Sequence, residues 1–298
     1  MNYHILGQST LEVSAIGFGC MSLGEDYAAN EQLIHQAMGA GINLFDTADI
    51  YQQGRNEIML GKAIAGKRQE VLIATKAGNQ LRADGNGFDW NPRKEYILSA
   101  VEESLKRLGT DYIDLYQLHG GTMDDPIAET IEAFELLQQQ GKIRYYGISS
   151  IRPNVIREYV QHSKIASVMM QYSLLDRRPE ETCLPLLKQH NIGVITRGSV
   201  AKGLLINKPA TAYLNYTKEE VAQAAKAVQS LTNDLRDATQ VALRFVLQHR
   251  AVTSAIVGIR TKEQLDEAVK TIDSPILSEE ESELLRQSIP VNYYDQHR

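Results

Sequence analysis

The stretch from residue 71 to residue 119 opens with VLIATK (71–76), continues with RKEYILSAVEESLKRL (93–108) and closes with IDLYQLH (113–119). The first segment is short and rich in β-branched residues, as buried strands are. The middle segment repeats its apolar residues at helical spacing, with Ile97, Val101, Leu105 and Leu108 on one face. A strand, a helix and a second strand in this order predict a βαβ unit with parallel strands.

The same alternation extends in both directions from this unit. Further apolar strand patterns lie at 13–19, 42–46, 144–149, 167–172, 194–197 and 254–257. Amphipathic helix patterns follow them at 31–39, 56–66, 126–140, 154–162, 180–190, 238–246 and 262–270. Eight strand–helix units in 298 residues predict an α/β fold, a closed (β/α)8 barrel of the TIM type. Since no linker or composition shift interrupts the pattern, we expect a single domain over residues 1–298.

Four segments lie outside this count. Residues 3–13 predict an N-terminal β-hairpin, residues 218–231 a helix inside an insertion, and residues 278–287 an extra C-terminal helix. Residues 81–92 are interpreted either as a flexible loop or as a lid that brings Phe88 or Trp90 against a substrate.

Composition narrows the functional class. The chain has 31 Lys and Arg against 37 Asp and Glu, for a formal charge of -6. A mildly acidic chain is a poor general binder of nucleic acid or anionic membranes, so we expect neither as a partner. No signal-peptide pattern or long apolar run is evident, and the distant Cys20 and Cys183 fit no disulfide or metal spacing. We expect reduced thiols, no metal, a cytoplasmic location and a monomer or small homo-oligomer.

Candidate catalytic residues lie where the predicted strands end, the place where TIM barrels build their active sites. Asp46, Lys76 and His119 close apolar strands, and Tyr51 follows Asp46 closely. Charges at such positions are costly unless paired, which predicts a network. An ammonium beside a tyrosine favours the phenolate, so we expect Lys76 to lower the pKa of Tyr51. Tyr51 as an acid and His119 as a donor to a carbonyl oxygen suit hydride transfer to a carbonyl carbon.

The hydride must come from a cofactor. The glycines of GFGCMSLG (17–24) lack the spacing of a Rossmann fingerprint. Two late loops are better candidates for binding phosphates. One is GSVAKGL (198–204), which carries one cation, and the other is GIRT (258–261), which opens a helix and supplies Arg260.

Over nearly its whole length the chain resembles an aldo-keto reductase. The motifs that carry the resemblance are DTADIY (46–51), NE (56–57), TK (75–76), YQLH (116–119), GISS (147–150), QYS (171–173) and GIR (258–260). In its overall sequence pattern the chain is most similar to the bacterial branch of the family related to potassium-channel β subunits. The resemblance implies a TIM barrel that uses NADPH/NADP+ to reduce a small aldehyde or ketone reversibly to an alcohol.

The resemblance also implies residue roles. Tyr51 would be the general acid, tuned by Lys76 and Asp46, with His119 orienting the carbonyl. Cofactor contacts are implied for Met21, Asp46, Ser149, Gln171, Arg197, Gly198, Ser199, Val200, Lys202, Gly203, Leu204, Gly258, Arg260, Gln264 and Glu267. Of these, Ser149 and Gln171 would hold the nicotinamide carboxamide.

Four positions depart from the usual family pattern. Ser150 stands in place of Asn, Arg197 in place of a stacking aromatic, Gln264 in place of an Arg, and Ala268 in place of an Asn beside the adenine. We therefore expect Arg260 and Lys202 to recognise the 2′-phosphate.

Two other functions compete with carbonyl reduction. The first is a redox sensor that holds NADP(H) and turns over little. The second is a Schiff-base lyase that uses Lys76 as its nucleophile. The complete set of Asp46, Tyr51, Lys76 and His119 favours the reductase over the sensor, and Tyr51 with Arg260 argues against the lyase.

Overall fold

The computed structural model describes residues 1–82 and 84–298 and is built around a closed barrel of eight parallel strands. In chain order the strands are β1 (Tyr3–Ile5), β2 (Glu12–Ser14), β3 (Ile16–Gly19), β4 (Leu44–Asp46), β5 (Leu72–Ala77), β6 (Asn79–Leu81), β7 (Phe88–Trp90), β8 (Ile113–Leu118), β9 (Ile143–Ser149), β10 (Ser167–Gln171), β11 (Gly193–Arg197) and β12 (Val252–Gly258). The barrel consists of β3, β4, β5 and β8 to β12, and it closes where β12 pairs with β3. The predicted α/β TIM barrel is confirmed.

Helices cover the outside of the barrel. They are α1 (Tyr27–Gly39), α2 (Arg55–Ala63), α3 (Lys94–Leu108), α4 (Ile127–Gln139), α5 (Pro153–His162), α6 (Cys183–Gln189), α7 (Lys218–Ser230), α8 (Ala238–Leu247), α9 (Lys262–Lys270) and α10 (Glu279–Gln287). Capping boxes at Thr217, Asp237 and Ser278 fix where α7, α8 and α10 begin. The insertion helix and the extra C-terminal helix therefore lie where the sequence predicts them.

The start of α6 differs from the prediction. A helix over 180–190 was expected, but Arg178–Glu180 forms a separate 3-10 turn and α6 begins at Cys183. Pro185 explains the difference because proline has no N–H and fits only the first turn of a helix. A helix that began at residue 180 would place Pro185 in its interior.

The N-terminal hairpin of β1 and β2 closes one end of the barrel. Leu6, Leu11 and Val13 pack in one buried cluster with the inward-facing residues Leu44, Ala74, Leu115, Met169, Ile195 and Ile256. Gly7, at a φ of +57°, approaches the start of β11 so closely that a Cβ would lie 2.6 Å from the backbone N of Gly193. The hairpin thus fills the N-terminal end of the barrel and leaves the C-terminal end of the strands as the open mouth.

The segment over 81–92 was left open as a loop or a lid. Its described residues belong to an antiparallel hairpin, in which β6 pairs with β7 from Asn79 opposite Trp90 to Leu81 opposite Phe88. Arg82 and Asp89 form an exposed ion pair across it, with Nη2 and Oδ1 2.7 Å apart. These residues therefore form a β-hairpin rather than an irregular loop, while its flexibility and its action as a lid stay predictions.

Within residues 1–82 and 84–298, no helix has the length and apolar character needed to cross a membrane. Cys20 and Cys183 are both buried and form no disulfide, as expected for reduced thiols. The single domain over 1–298, the cytoplasmic location and the oligomeric state stay predictions.

A buried ion pair joins α2 to α3 outside the barrel wall. The carboxylate of Glu57 is sealed from solvent, and its two oxygens accept hydrogen bonds from Arg107 Nε at 2.7 Å and Thr75 Oγ1 at 2.6 Å. Removal of one partner from such a pair leaves an uncompensated charge, which typically costs about 3 to 5 kcal/mol. We expect Arg107→Met to lower the free energy of unfolding by about 3 kcal/mol in urea denaturation at pH 7.

Lys106→Met provides the matched control, since the adjacent Lys106 pairs with Glu103 on the exposed side of the same helix. This variant is expected to leave the free energy of unfolding unchanged. An equal loss in both variants would contradict the assignment of the stabilisation to the buried pair.

Candidate active site

The open mouth of the barrel leads into a cavity of about 780 Å³ at the C-terminal ends of the strands. Its walls come from the loops that follow the barrel strands. The predicted site residues that line it are Met21, Asp46, Tyr51, His119, Ser149, Gln171, Arg197, Gly198, Lys202 and Gly258. Residues more than 200 positions apart in the chain therefore share one cavity, as the strand-end argument predicts.

Lys76 lies beneath this cavity rather than in its wall. Its side chain is 1% exposed, and Nζ donates to Asp46 Oδ1 at 2.6 Å and to the carbonyl oxygen of Thr47 at 2.7 Å. Nζ also lies 5.2 Å from the centre of the Tyr51 ring. Burial acts to lower the pKa of Lys76, but Asp46 and Tyr51 outweigh burial and raise that pKa above its ordinary value. Lys76 is therefore a fixed ammonium beside the tyrosine.

A strained turn positions Tyr51. Gln52 and Gln53 follow it with φ values of +50° and +56°, and Gly54 continues the left-handed conformation at +83°. Such φ values are uncommon for residues with a Cβ and are maintained only when the surroundings enforce them. The side chain of Gln52 supplies part of that support by donating to the carbonyl oxygen of Leu23 at 2.9 Å. This turn ends before α2 begins at Arg55, and the side chain of Tyr51 lies in the cavity wall.

The pKa of Tyr51 differs from the prediction. Burial raises this pKa most, and the negative charge of Asp46 raises it further. The positive charges of Lys76 and Arg197 lower it, but they do not compensate for the loss of hydration. Lys76 does act to lower the pKa of Tyr51, as expected, but burial outweighs this effect, so the pKa lies above its ordinary value. Tyr51 is protonated near neutral pH, which is the state that an acid requires.

His119 lies against Tyr51 in an edge-to-face arrangement, with ring centroids 5.9 Å apart and planes at 81°. Burial, together with the charges of Lys76 and Arg197, lowers the pKa of His119 to about 3. Its Nδ1 is buried and has no hydrogen-bond partner within the described ranges. His119 is thus a neutral imidazole at pH 7, with one N–H to donate.

On the opposite side of the cavity, Gln171 is the centre of a hydrogen-bond network. Its Nε2 donates to Asp176 Oδ2 at 2.9 Å and to the hydroxyl of Tyr213 at 3.1 Å. Its Oε1 accepts from Arg197 Nη1 at 2.9 Å. Arg197 is therefore fixed beside the cavity by Gln171, the residue that the family resemblance implies for a carboxamide contact.

Three cations surround the mouth near β11 and β12, namely Arg197, Lys202 and Arg260. In the part of the chain that the structure describes, none of them forms an ion pair with a carboxylate. Arg260 Nε donates to the carbonyl oxygen of Ser22 at 3.1 Å, which draws the loops after β12 and β3 together. Gly258 permits this approach, since a Cβ there would lie 2.3 Å from Ser22 Oγ. Unpaired cations beside a glycine-lined wall fit the phosphates of a dinucleotide.

Several predicted cofactor residues lie outside the cavity wall. They are Ser199, Val200, Gly203, Leu204, Arg260, Gln264 and Glu267. Ser199 and Leu204 are buried, Ser199 beside the hydroxyl of Thr196, and Glu267 accepts a hydrogen bond from Thr239. Cofactor contacts by these residues stay predictions.

The cavity wall also contains residues that sequence reasoning missed or left open. Trp90 is held by a 2.8 Å bond from its indole nitrogen to Asp125 Oδ1, whereas Phe88 is exposed and does not line the cavity. Gly78 and Gly120 leave room for the Trp90 ring, because a Cβ would lie 2.8 Å from the ring at Gly78 and 3.1 Å from it at Gly120. Asn79, Arg152 and Tyr213 were not predicted.

A second buried carboxyl group, Asp49, precedes Tyr51 by two residues within the DTADIY segment. It is 6% exposed, and its Oδ2 accepts a long 3.3 Å bond from the hydroxyl of Tyr96. Its Oδ1 has no partner within residues 1–82 and 84–298. Burial, and then the nearby charge of Glu57, raise the pKa of Asp49 to about 7.

The sequence model described as the Aldo/keto reductase family matches residues 15–289. The chain belongs to the aldo-keto reductase family. It is 50% identical over 302 residues to the uncharacterized oxidoreductase YqkF of Bacillus subtilis, with 98% of each chain covered. It is also 32% identical to the aldo-keto reductase YhdN of the same organism, with 94% of this chain and 91% of the relative covered. The chain is therefore an oxidoreductase of this family, whose members depend on a nicotinamide cofactor.

Solved structures agree with this placement. The holo form of aldo-keto reductase AKR11C1 from Bacillus halodurans superposes with a TM-score of 0.94 at 48% identity, over 100% of this chain and 99% of that chain. The glycerol dehydrogenase AKR11B4 from Gluconobacter oxydans superposes with a TM-score of 0.84 at 27% identity, over 96% and 94%. The kinship with potassium-channel β subunits stays a prediction.

Asp49 should make stability depend on pH in a defined direction. Its pKa is about 7 in the folded chain, well above the ordinary value near 3.8. The folded state therefore holds this proton more tightly, and the resulting stabilisation is complete below about pH 4 and is lost as pH rises through about 7. Between pH 5 and 8 we expect the native protein to lose about 2.5 kcal/mol more unfolding free energy than Asp49→Asn.

Urea unfolding at pH 5, 6, 7 and 8 measures this difference. Asp234→Asn is the control, because Asp234 is exposed, and it should keep the pH dependence of the native protein. A parallel pH dependence in Asp49→Asn and the native protein would show that Asp49 is not the titrating group.

Proposed function

We propose that this chain is an NADPH-dependent reductase that converts an aldehyde or ketone to an alcohol, reversibly, with Tyr51 as the general acid. The observation that carries the proposal is the buried Lys76–Asp46 pair beneath Tyr51, with N–O distance 2.6 Å, beside the neutral His119. Family membership supports the oxidoreductase class, and the unpaired Arg197, Lys202 and Arg260 support the phosphorylated cofactor.

The residues present fit a nicotinamide dinucleotide. The cavity of about 780 Å³ has room for its reactive end and a small carbonyl compound. Ser149 and Gln171 would hold the carboxamide, while Arg197, Lys202 and Arg260 would bind the phosphates. When bound, the cofactor supplies a hydride for the carbonyl carbon.

The chain's own groups would act on the carbonyl oxygen. His119 donates its N–H to this oxygen and fixes the direction of the carbonyl group. Tyr51 donates its hydroxyl proton to the same atom as the C–O bond becomes single. Lys76 stabilises the tyrosinate that remains, and Asp46 holds Lys76 in place. In the oxidative direction Tyr51 accepts the proton from the alcohol.

The lyase alternative does not fit the surroundings of Lys76. A Schiff base requires an accessible, unprotonated amine. Lys76 is 1% exposed, bonds to Asp46 and Thr47, and has a pKa above its ordinary value. These features favour a fixed positive charge over a nucleophile.

Tyr51→Phe tests the acid role and separates a reductase from a sensor. Loss of a general acid typically costs about 10² to 10⁴ in rate, so we expect kcat for aldehyde reduction to fall by that factor. The dissociation constant of NADPH, followed by its fluorescence, should stay within about twofold because the phosphate contacts remain. Tyr293→Phe, at an exposed tyrosine, is the control. Undiminished turnover in Tyr51→Phe would refute the assignment.

Arg260→Met tests recognition of the 2′-phosphate. Loss of one charge-assisted contact should weaken NADPH binding about tenfold or more, with little effect on NADH, which lacks that phosphate. Lys262→Met is the control, since Lys262 lies two residues away but is paired with Asp266. If both cofactors lose affinity equally, Arg260 does not discriminate between them.

A further inference from the structure

We propose that the carbonyl substrate of this site carries an anionic group, a carboxylate or a phosphate, and that Arg152 binds it. This inference rests on the proposed reductase function and specifies its substrate class. Arg152 lies in the turn between β9 and α5 and lines the cavity.

The barrel separates Arg152 from the cations that would serve the cofactor. Arg197 and Lys202 follow β11 and Arg260 follows β12, and β12 pairs directly with β3. Around the closed barrel, β9 is two strands from β11 and three strands from β12, so the loop that carries Arg152 is not adjacent to the loops of these cations. The strands beside β9 are β8, which His119 follows, and β10, which ends at Gln171. Arg152 therefore borders the side on which His119 would hold the carbonyl group.

The guanidinium of Arg152 is anchored but not neutralised. Nη1 donates to the carbonyl oxygen of Gly121 at 2.6 Å. Within the described ranges Arg152 has no carboxylate partner, and no hydrogen bond occupies its Nε or Nη2. A partly buried arginine with free donors in a cavity wall is suited to a planar, bidentate anion.

Carboxylates near Arg152 are already bound to other donors. Asp125 belongs to the loop that anchors Arg152, but its Oδ1 accepts from Trp90 and Thr122 and its Oδ2 from the backbone N–H of Thr122. Asp46, a carboxylate of the cavity wall, is balanced by Lys76. Among the described residues that line the cavity, Arg152, Arg197 and Lys202 have no carboxylate partner, so the wall is positive although the whole chain has a formal charge of -6. A positive cleft of this kind attracts anionic ligands.

The anchor of Arg152 is rigid. Gly121, at a φ of +127°, packs so tightly on α5 that a Cβ would lie 2.9 Å from Val155 Cγ1. The bonds from Thr122 to Asp125 fix the rest of this loop. Because the guanidinium is held before any ligand arrives, little side-chain entropy is lost on binding.

Kinetics on a matched pair of aldehydes test the inference. The native protein, Arg152→Met and Arg152→Lys would be assayed with NADPH on 4-formylbenzoate and on its uncharged methyl ester. We expect the native protein to favour the anion, and Arg152→Met to lose about 10- to 100-fold in kcat/KM on the anion and about twofold or less on the ester. Arg152→Lys should be intermediate because an ammonium lacks the planar fork. A parallel assay with 4-formylphenyl phosphate shows which anion is preferred.

Arg157→Met is the control on α5, the helix that follows Arg152, because Arg157 does not line the cavity. It should leave both substrates unaffected. Equal losses on acid and ester in Arg152→Met would make Arg152 a structural residue, and a weaker NADPH complex would place it in the cofactor site. Either result overturns the inference.

Calorimetry separates failure of the inference from failure of the reductase proposal. We expect 4-(hydroxymethyl)benzoate to bind the native protein in the presence of NADP+ and to bind Arg152→Met about tenfold or more weakly. If this carboxylate binds through Arg152 while no carbonyl compound is reduced, the anion site stands and the reductase proposal fails. If the ester is reduced but the carboxylate does not bind, the reductase stands and the inference fails.

Discussion

The contact between Lys76 Nζ and Asp46 Oδ1, which is 2.6 Å long and closed to solvent, is the constraint on which the rest of the site depends. A lysine buried without a partner loses its charge, since desolvation disfavours the ammonium. Asp46 and the carbonyl oxygen of Thr47 keep Lys76 protonated. Through its charge, Lys76 acts on Tyr51 and His119 together: it opposes the effect of burial on the tyrosine and adds to it on the histidine. The charge of Lys76 therefore favours the neutral imidazole at His119, whereas at Tyr51 it favours the phenolate and burial, to which Asp46 adds, keeps the hydroxyl protonated.

Strand alternation connects this pair to the outer layer of the barrel. Thr75 and Lys76 are neighbours in β5, and successive side chains of a strand point to opposite faces. Thr75 holds Glu57 on the helical side, while Lys76 holds Asp46 on the side of the cavity. Each face of one short strand thus contributes to a buried ionic network. The N-terminal hairpin, which fills the other end of the barrel, completes the frame that keeps this strand in place.

Much of the fold and the centre of the site could be predicted from sequence because both depend on local patterns. The spacing of apolar residues and the positions of glycines indicate the strands and helices. The ends of the strands then bring Asp46, Lys76 and His119 together at the open end of the barrel. The net pKa shift of Tyr51 could not be predicted, because it is a balance between burial and three surrounding charges that only the folded structure contains. Asn79, Arg152 and Tyr213 were missed because a hairpin, a turn and an insertion carry them into the cavity from outside the barrel strands. The late start of α6 follows from Pro185, whose effect depends on its position within the helix rather than on its presence.

The saturated amide of Gln171 has a thermodynamic consequence. An amide nitrogen has two hydrogens to donate, and those of Gln171 are already used by Asp176 and Tyr213. A ligand that accepts a hydrogen bond from this nitrogen must take the place of one of them. Docking at this end of the cavity is therefore an exchange reaction, in which one bond breaks for each bond that forms and the net enthalpy is small. The nitrogen of Gln171 therefore adds little net affinity, whereas the attraction exerted by Arg197, Lys202 and Arg260 on an anion weakens as ionic strength rises.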